Sequence, residues 1–235
     1  MQTNIDITQA FLNAPDGILS IHQLSQSLKL PYGTTYNRTH ILNQQGIIQI
    51  VPQGKAKLCG LDSSNPMTKC LLALGGAQNT DKYRKSLKET STVFDNIVEI
   101  FYNESKGKIL SSILLSPVIL NELSKIETTE EDKNISTESE DFQRTLDFFV
   151  IKTDDSLDES IIESKLNEFL QSKYSIATTI MAVDSDGLLG MLGIKEEEAG
   201  LAAYNMLHEG IILTGYENFF DLILKVFSKK INTVK

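Results

Sequence analysis

The stretch from Gly17 to Leu61, GILSIHQLSQSLKLPYGTTYNRTHILNQQGIIQIVPQGKAKLCGL, constrains the chain more than any other. Ile18 to Ser20 is β-prone, and Ser20 can cap a helix over Ile21 to Lys29 that sets Leu24 and Leu28 on one face. Leu-Pro-Tyr-Gly then breaks the chain. Pro31 suits the start of the next helix, and Gly33 permits a close approach between the two. That helix is expected from Tyr32 to Gln45 and closes at Gly46. Two β-rich runs follow, Ile47 to Val51 and Lys55 to Leu61, joined through Pro52-Gln53-Gly54 as a hairpin. Upstream, Ile5 to Asn13 reads as a further helix, stopped by Asn-Ala-Pro-Asp-Gly.

On the Tyr32 helix, Thr35, Thr39 and Leu42 fall at spacings of four and three and face inward. Thr34, Tyr36, Asn37, Arg38 and Ile41 then face outward. Hydroxyl, amide and guanidinium groups supply the donors and acceptors that base edges in a major groove require. The run Thr-Thr-Tyr-Asn-Arg, followed by Leu42 and Gly46-Ile47-Ile48, resembles the recognition helix of winged helix-turn-helix regulators of the Lrp and MarR type. The resemblance covers about the first third of the chain. It implies double-stranded DNA as partner, Thr34, Tyr36, Asn37 and Arg38 at bases, and a hairpin wing whose Lys55 and Lys57 meet phosphate. His22 and His40 read as surface or capping residues, because no ligand spacing joins them to Cys59 or Cys70.

Charge supports a division of labour. The chain carries −9 in total, yet through Thr80 five basic residues (Lys29, Arg38, Lys55, Lys57, Lys69) outnumber Asp6, Asp16 and Asp62. The front is therefore +2 and the remainder −11, so only the front suits a polyanion. A surplus of two binds duplex weakly in one copy, which makes a homodimer the expected state. No run of about 18 apolar residues exists, the start MQTNIDITQAFLN lacks a basic-then-apolar signal, and two isolated cysteines suit a reducing compartment. The expectation is a cytoplasmic chain without a membrane span.

Asn65 to Ala77 is expected as a helix ending at Gly75-Gly76, with Met67, Cys70, Leu71 and Leu74 as core. No Lys-Ser or Lys-Thr follows the glycines, so they do not form a phosphate-binding loop. From Asp81 to Glu104, Tyr83, Leu87, Thr90, Phe94, Ile97 and Phe101 recur at alternating spacings of four and three. That is a heptad stripe along one helix. It supports two roles: a dimerisation helix joining head to tail, or a helix packed on the domain that follows.

Beyond Lys108 the texture is α/β. Strand-like runs occur at Ile109 to Leu115, Thr145 to Ile151, Ile176 to Val183 and Gly210 to Leu213. Helical patterns occur at Pro117 to Lys125, Asp158 to Lys173, Leu188 to Leu192, Lys195 to Glu209 and Tyr216 to Lys230. In the Asp158 helix Ile161, Ile162, Leu166, Phe169 and Leu170 are expected on one face, and the acidic 126–143 segment reads as a surface loop. This order, with Leu146-Asp147-Phe148-Phe149-Val150-Ile151 and Glu209-Gly210-Ile211-Ile212-Leu213-Thr214-Gly215, resembles the minimal nucleotidyltransferase fold. The family's chemistry fails on the residues. Ser116-Pro117 replaces Gly-Ser, Thr145 replaces the first acid of Asp-x-Asp and leaves Asp147 alone, and Ile176 to Val183 holds no acid. Two Mg²⁺ ions need several carboxylates.

The sequence therefore implies an α/β (α+β) chain in three parts: a winged helix-turn-helix over 1–78, a connecting helix over 79–106, and a nucleotidyltransferase-like, non-catalytic α/β domain over 107–235. The expected function is DNA-binding transcriptional regulation without enzymatic activity, cofactor or metal. The back domain would dimerise, sense a small molecule or recruit a protein. Two alternatives stand beside it: a nucleotidyltransferase with an atypical metal site, and an interaction adaptor whose winged helix touches no DNA.

Overall fold

A computed structural model describes residues 1–14, 16–54, 56–126, 144–193 and 209–232. It is a mixed α/β molecule with two small sheets. Its described residues fall into two compact units, one of 1–77, 189–193 and 216–232, the other of 78–188 and 209–215. Among the described residues, no helix is long and apolar enough to cross a membrane.

The first unit opens with helix α1 (Gln2–Ala10), a 3₁₀ turn (Phe11–Asn13), strand β1 (Ile18–Ser20) and helix α2 (Ile21–Ser27). The boundary between β1 and α2 is a reciprocal cap. The Gln23 backbone N–H donates to Ser20 Oγ at 3.2 Å, and the Ser20 N–H donates to Gln23 Oε1 at 2.8 Å. Helix α3 (Tyr32–Gln44) buries Thr35, Thr39 and Leu42, as their spacing predicts. It ends where Gly46 takes a left-handed φ of +70° and the Ile47 N–H returns to the Leu42 carbonyl. Strands β2 (Ile48–Gln53) and β3 (Ala56–Leu61) pair antiparallel, and Pro52 and Gln53, expected in the turn, extend β2 instead. β1 pairs with the other side of β3, giving the order β1-β3-β2.

Helix α4 (Pro66–Ser86) does not stop at Gly75-Gly76. The glycines lie inside it, where a Cβ on Gly75 would overlap the Gln9 side chain and one on Gly76 would meet the Phe220 ring. Gln9 Nε2 uses that space to donate to the Leu72 carbonyl at 2.9 Å. Here glycine serves close packing, not termination. Leu71 and Leu72 are buried, whereas Met67, Cys70 and Leu74, expected in the core, are exposed.

The second unit holds the whole heptad stripe, but not on one helix. The chain leaves α4 at Ser86, passes a 3₁₀ turn (Lys88–Thr90) and restarts as helix α5 (Ser91–Ser105). Lys88 sits at φ +49°, and Thr90 Oγ1 caps back to the Leu87 carbonyl at 2.9 Å. A two-pronged pair ties the break: Arg84 donates to both carboxylate oxygens of Asp95, at 2.6 and 2.5 Å. These hydrogen bonds hold the Asp95 carboxyl below its usual range. The single connecting helix over 79–106 is thus two helices and a turn. Leu87, Phe94, Ile97 and Phe101 lie in the core of the second unit, with Tyr83 packed against it. Of the two roles the stripe allowed, it fills the packing one.

Strand β4 (Ile109–Leu114) follows, then helix α6 (Pro117–Ile126), strand β5 (Arg144–Lys152), helix α7 (Glu159–Tyr174), strand β6 (Ile176–Val183), helix α8 (Ser185–Gly193), strand β7 (Ile211–Thr214) and helix α9 (Tyr216–Asn232). The sheet order is β6-β5-β4-β7, parallel between β5 and β6 and antiparallel elsewhere. Leu146, Phe148 and Val150 of β5 enter the core with Ile162, Leu166 and Leu170 of α7. Ile161, expected on that helix face, is 50 % exposed, because the residue before Ile162 turns off a stripe stepping by four. The acidic 127–143 segment and most of the helix expected over 195–209 lie outside the described residues.

Helix α9 belongs with the first unit, although the sequence reading grouped 107–235 together. It is strongly amphipathic, and Phe219, Phe220, Ile223 and Phe227 are buried. It packs on β1 and β3, and Lys69 of α4 reaches Asp221 of α9 at 3.8 Å.

Candidate nucleic-acid interface

Helix α3 is anchored by one face and open on the other. Anchoring comes from Thr35, Thr39 and Leu42, each fully buried. Thr34, Asn37 and Arg38 are exposed, with Tyr32 at 52 % and Ile41 at 42 %. The helix contains no aspartate or glutamate, and neither do β2 and β3 beside it. In a chain with 31 acids, no carboxylate of these three elements competes for Arg38.

The structure brings two of the predicted residues together. Lys57 of β3 is half-buried and donates from Nζ to the Tyr36 hydroxyl of α3 at 2.9 Å. Its ammonium also lies 4.8 Å from the Tyr36 ring centroid. Alternation along β3 accounts for this: Lys57 shares a face with buried Cys59, so its stem runs beneath the hairpin toward α3. Burial pushes the Cys59 thiol up to about 12, and nearby Lys57 only partly opposes the rise. Lys55, expected at the wing tip, lies outside the described residues.

His40 is the residue that sequence reasoning missed as part of this cluster. Its ring packs against Tyr36 at a 44° tilt with centroids 4.3 Å apart, and its Nε2 is 3.4 Å from Lys57 Nζ. Tyr32 continues the row at 6.1 Å from Tyr36. The signal was present in the sequence, since Tyr32, Tyr36 and His40 recur every four residues. What spacing could not show was the lysine arriving from the hairpin.

In the second unit, Asp147 is half-buried on β5. Its N–H donates to Ser116 Oγ at 3.0 Å, and Thr179 Oγ1 of β6 donates to its carboxylate at 2.5 Å. Asp147 thus ties β5 to β6 through its carboxylate and to the residue before α6 through its backbone N–H. Among the described residues, no group of three or more His, Cys, Asp or Glu side chains could hold a metal ion.

Comparison of the chain with protein-family models, curated proteins and solved structures returns no match.

Proposed function

We propose that the first unit is a winged helix that binds double-stranded DNA, with α3 as its recognition helix, and that the protein regulates transcription. One observation carries the reading: α3 presents Thr34, Asn37 and Arg38 on an exposed face free of carboxylates, above a fully buried anchor. Arg38 pairs with guanine O6 and N7, and Asn37 with adenine N6 and N7, the pairings their donor geometry favours. Tyr36 and Lys57 act at the sugar-phosphate backbone. Lys69 contributes little, because Asp221 already faces it.

A front segment with a surplus of only two positive charges makes a weak contact in one copy, so a homodimer is the proposed binding form. The second unit supplies partner contacts or senses a small molecule. The test is fluorescence anisotropy with mixed genomic duplex fragments in rising salt. Wild type should bind with a steep salt dependence, and Arg38→Ala should lose about five- to 150-fold on a preferred site, the equivalent of ~1–3 kcal/mol. Equal binding by Arg38→Ala, or no binding by wild type, contradicts the proposal.

A further inference from the structure

We propose that Lys57, Tyr36 and His40 form a preassembled seat for one phosphate group, which the duplex-binding reading assigns to a backbone phosphodiester. The inference rests on that reading for the ligand's source, but on its own geometry for the ligand's charge.

Three features mark the cluster as an anion site. The first is the donor count. An ammonium has three N–H donors and no acceptor. Two of those on Lys57 go to Tyr36 Oη and His40 Nε2, which leaves one. Tyr36 Oη accepts from the lysine, so its own proton stays available for donation. Two donors 2.9 Å apart can therefore address one phosphate together.

The second feature is missing compensation. Lys69, Arg84, Lys85, Lys152, Lys165 and Lys225 each pair with a carboxylate. Lys57 has no carboxylate in ion-pair range among the described residues and rests on neutral acceptors and an aromatic ring. A half-buried ammonium whose contacts are neutral groups, in a chain of net −9, is open to an anion.

The third is preorganisation. The tilted, close-packed rings of Tyr36 and His40 hold the Lys57 head, so the usual entropy loss of a long lysine on binding is largely spent on folding. His40 is a positioning residue: its Nε2, 3.4 Å from Lys57 Nζ, steers the ammonium toward Tyr36.

Variants separate a phosphate seat from a mere tie between hairpin and helix. Anisotropy of the full chain on a fluorescent mixed-sequence duplex, between about 50 and 200 mM salt, gives affinity and salt slope together. Lys57→Gln keeps a polar stem without charge and should lower the slope by about one, whereas Lys57→Arg should retain it. Tyr36→Phe keeps the ring and removes a neutral donor, so affinity should fall about two- to tenfold at unchanged slope. His40→Phe should behave like Tyr36→Phe. Thermal midpoints within a few degrees of wild type establish that each variant folds.

A second arm titrates inorganic phosphate while the ring resonances of Tyr36 and His40 are followed by NMR. Shifts in wild type that vanish in Lys57→Gln support the seat even if wild type binds no duplex, in which case only the DNA assignment fails. Duplex binding whose slope and affinity are indifferent to Lys57→Gln and Tyr36→Phe overturns the seat and leaves the duplex reading standing. Absence of both the phosphate shifts and the slope change overturns the seat outright.

Discussion

Replacing Phe101 with alanine probes how the heptad stripe is used. Phe101 is 1 % exposed and packs its ring on Phe148 with centroids 5.2 Å apart, in a core shared with Phe94, Ile97 and Leu114. Removing a buried phenylalanine costs about 3–5 kcal/mol through lost transfer energy and the cavity left behind. A tilted pair at this distance also forfeits about 0.5–1.5 kcal/mol, placing the loss toward the upper end. The second unit, 78–188 with 209–215, lies between domains of 60–100 residues, where each kcal/mol moves the midpoint by about 4–8 °C, and those of 150–250, where it moves by about 2–4 °C, so its transition should fall by roughly 10 °C or more. Urea and thermal unfolding, followed by circular dichroism at several protein concentrations, measure it. An internal core predicts that the deficit is the same at every concentration. An intermolecular seam predicts instead a wild-type midpoint that climbs with concentration and a mutant whose climb is gone. That outcome, or a loss below about 1 kcal/mol, refutes the packing assignment.

Further outcomes follow from single positions. Gly215 has φ +74° and a Cβ there would overlap the Leu110 carbonyl oxygen, so Gly215→Ala should destabilise the second unit by more than about 2 kcal/mol in urea titration; a neutral change contradicts the close approach. At pH 8 a disulfide-exchange reagent should modify exposed Cys70 quickly and buried Cys59 only on unfolding, and fast reaction of both thiols contradicts the burial. Because folding raises the Cys59 pKa to about 12, it favours the protonated thiol. That stabilisation is complete below the ordinary thiol range and drains away as pH climbs toward 12, which alkaline unfolding midpoints of wild type and Cys59→Ala should show.

Local signals carried much of the fold. Ser20 before an amphipathic run, the Thr35–Thr39–Leu42 spacing and the apolar run of β5 each correspond to an element at the expected place. Misreadings arose where distant residues decide. Gly75 and Gly76 look like a helix stop from their neighbours, yet Gln9 and Phe220 use their missing side chains. The stripe from Tyr83 to Phe101 keeps its period across the break at Lys88–Thr90, because both helices face the same core. Periodicity reports a common face, not an unbroken rod. Phe227 and its neighbours announce an amphipathic helix without saying which unit receives it. For the site, Tyr36 and Lys57 were legible as residue types, but their pairing depends on β3's face against α3, which only the folded sheet fixes.

The most direct measurement is selection of fragments bound by the full-length chain from a random duplex library, followed by sequencing. The proposal predicts an enriched motif with inverted half-sites about 10–10.5 base pairs apart, one for each α3 of a dimer, and loss of that motif with Arg38→Ala. Recovery of sequences indistinguishable from the input, at salt where other proteins select their sites, would contradict duplex reading by α3.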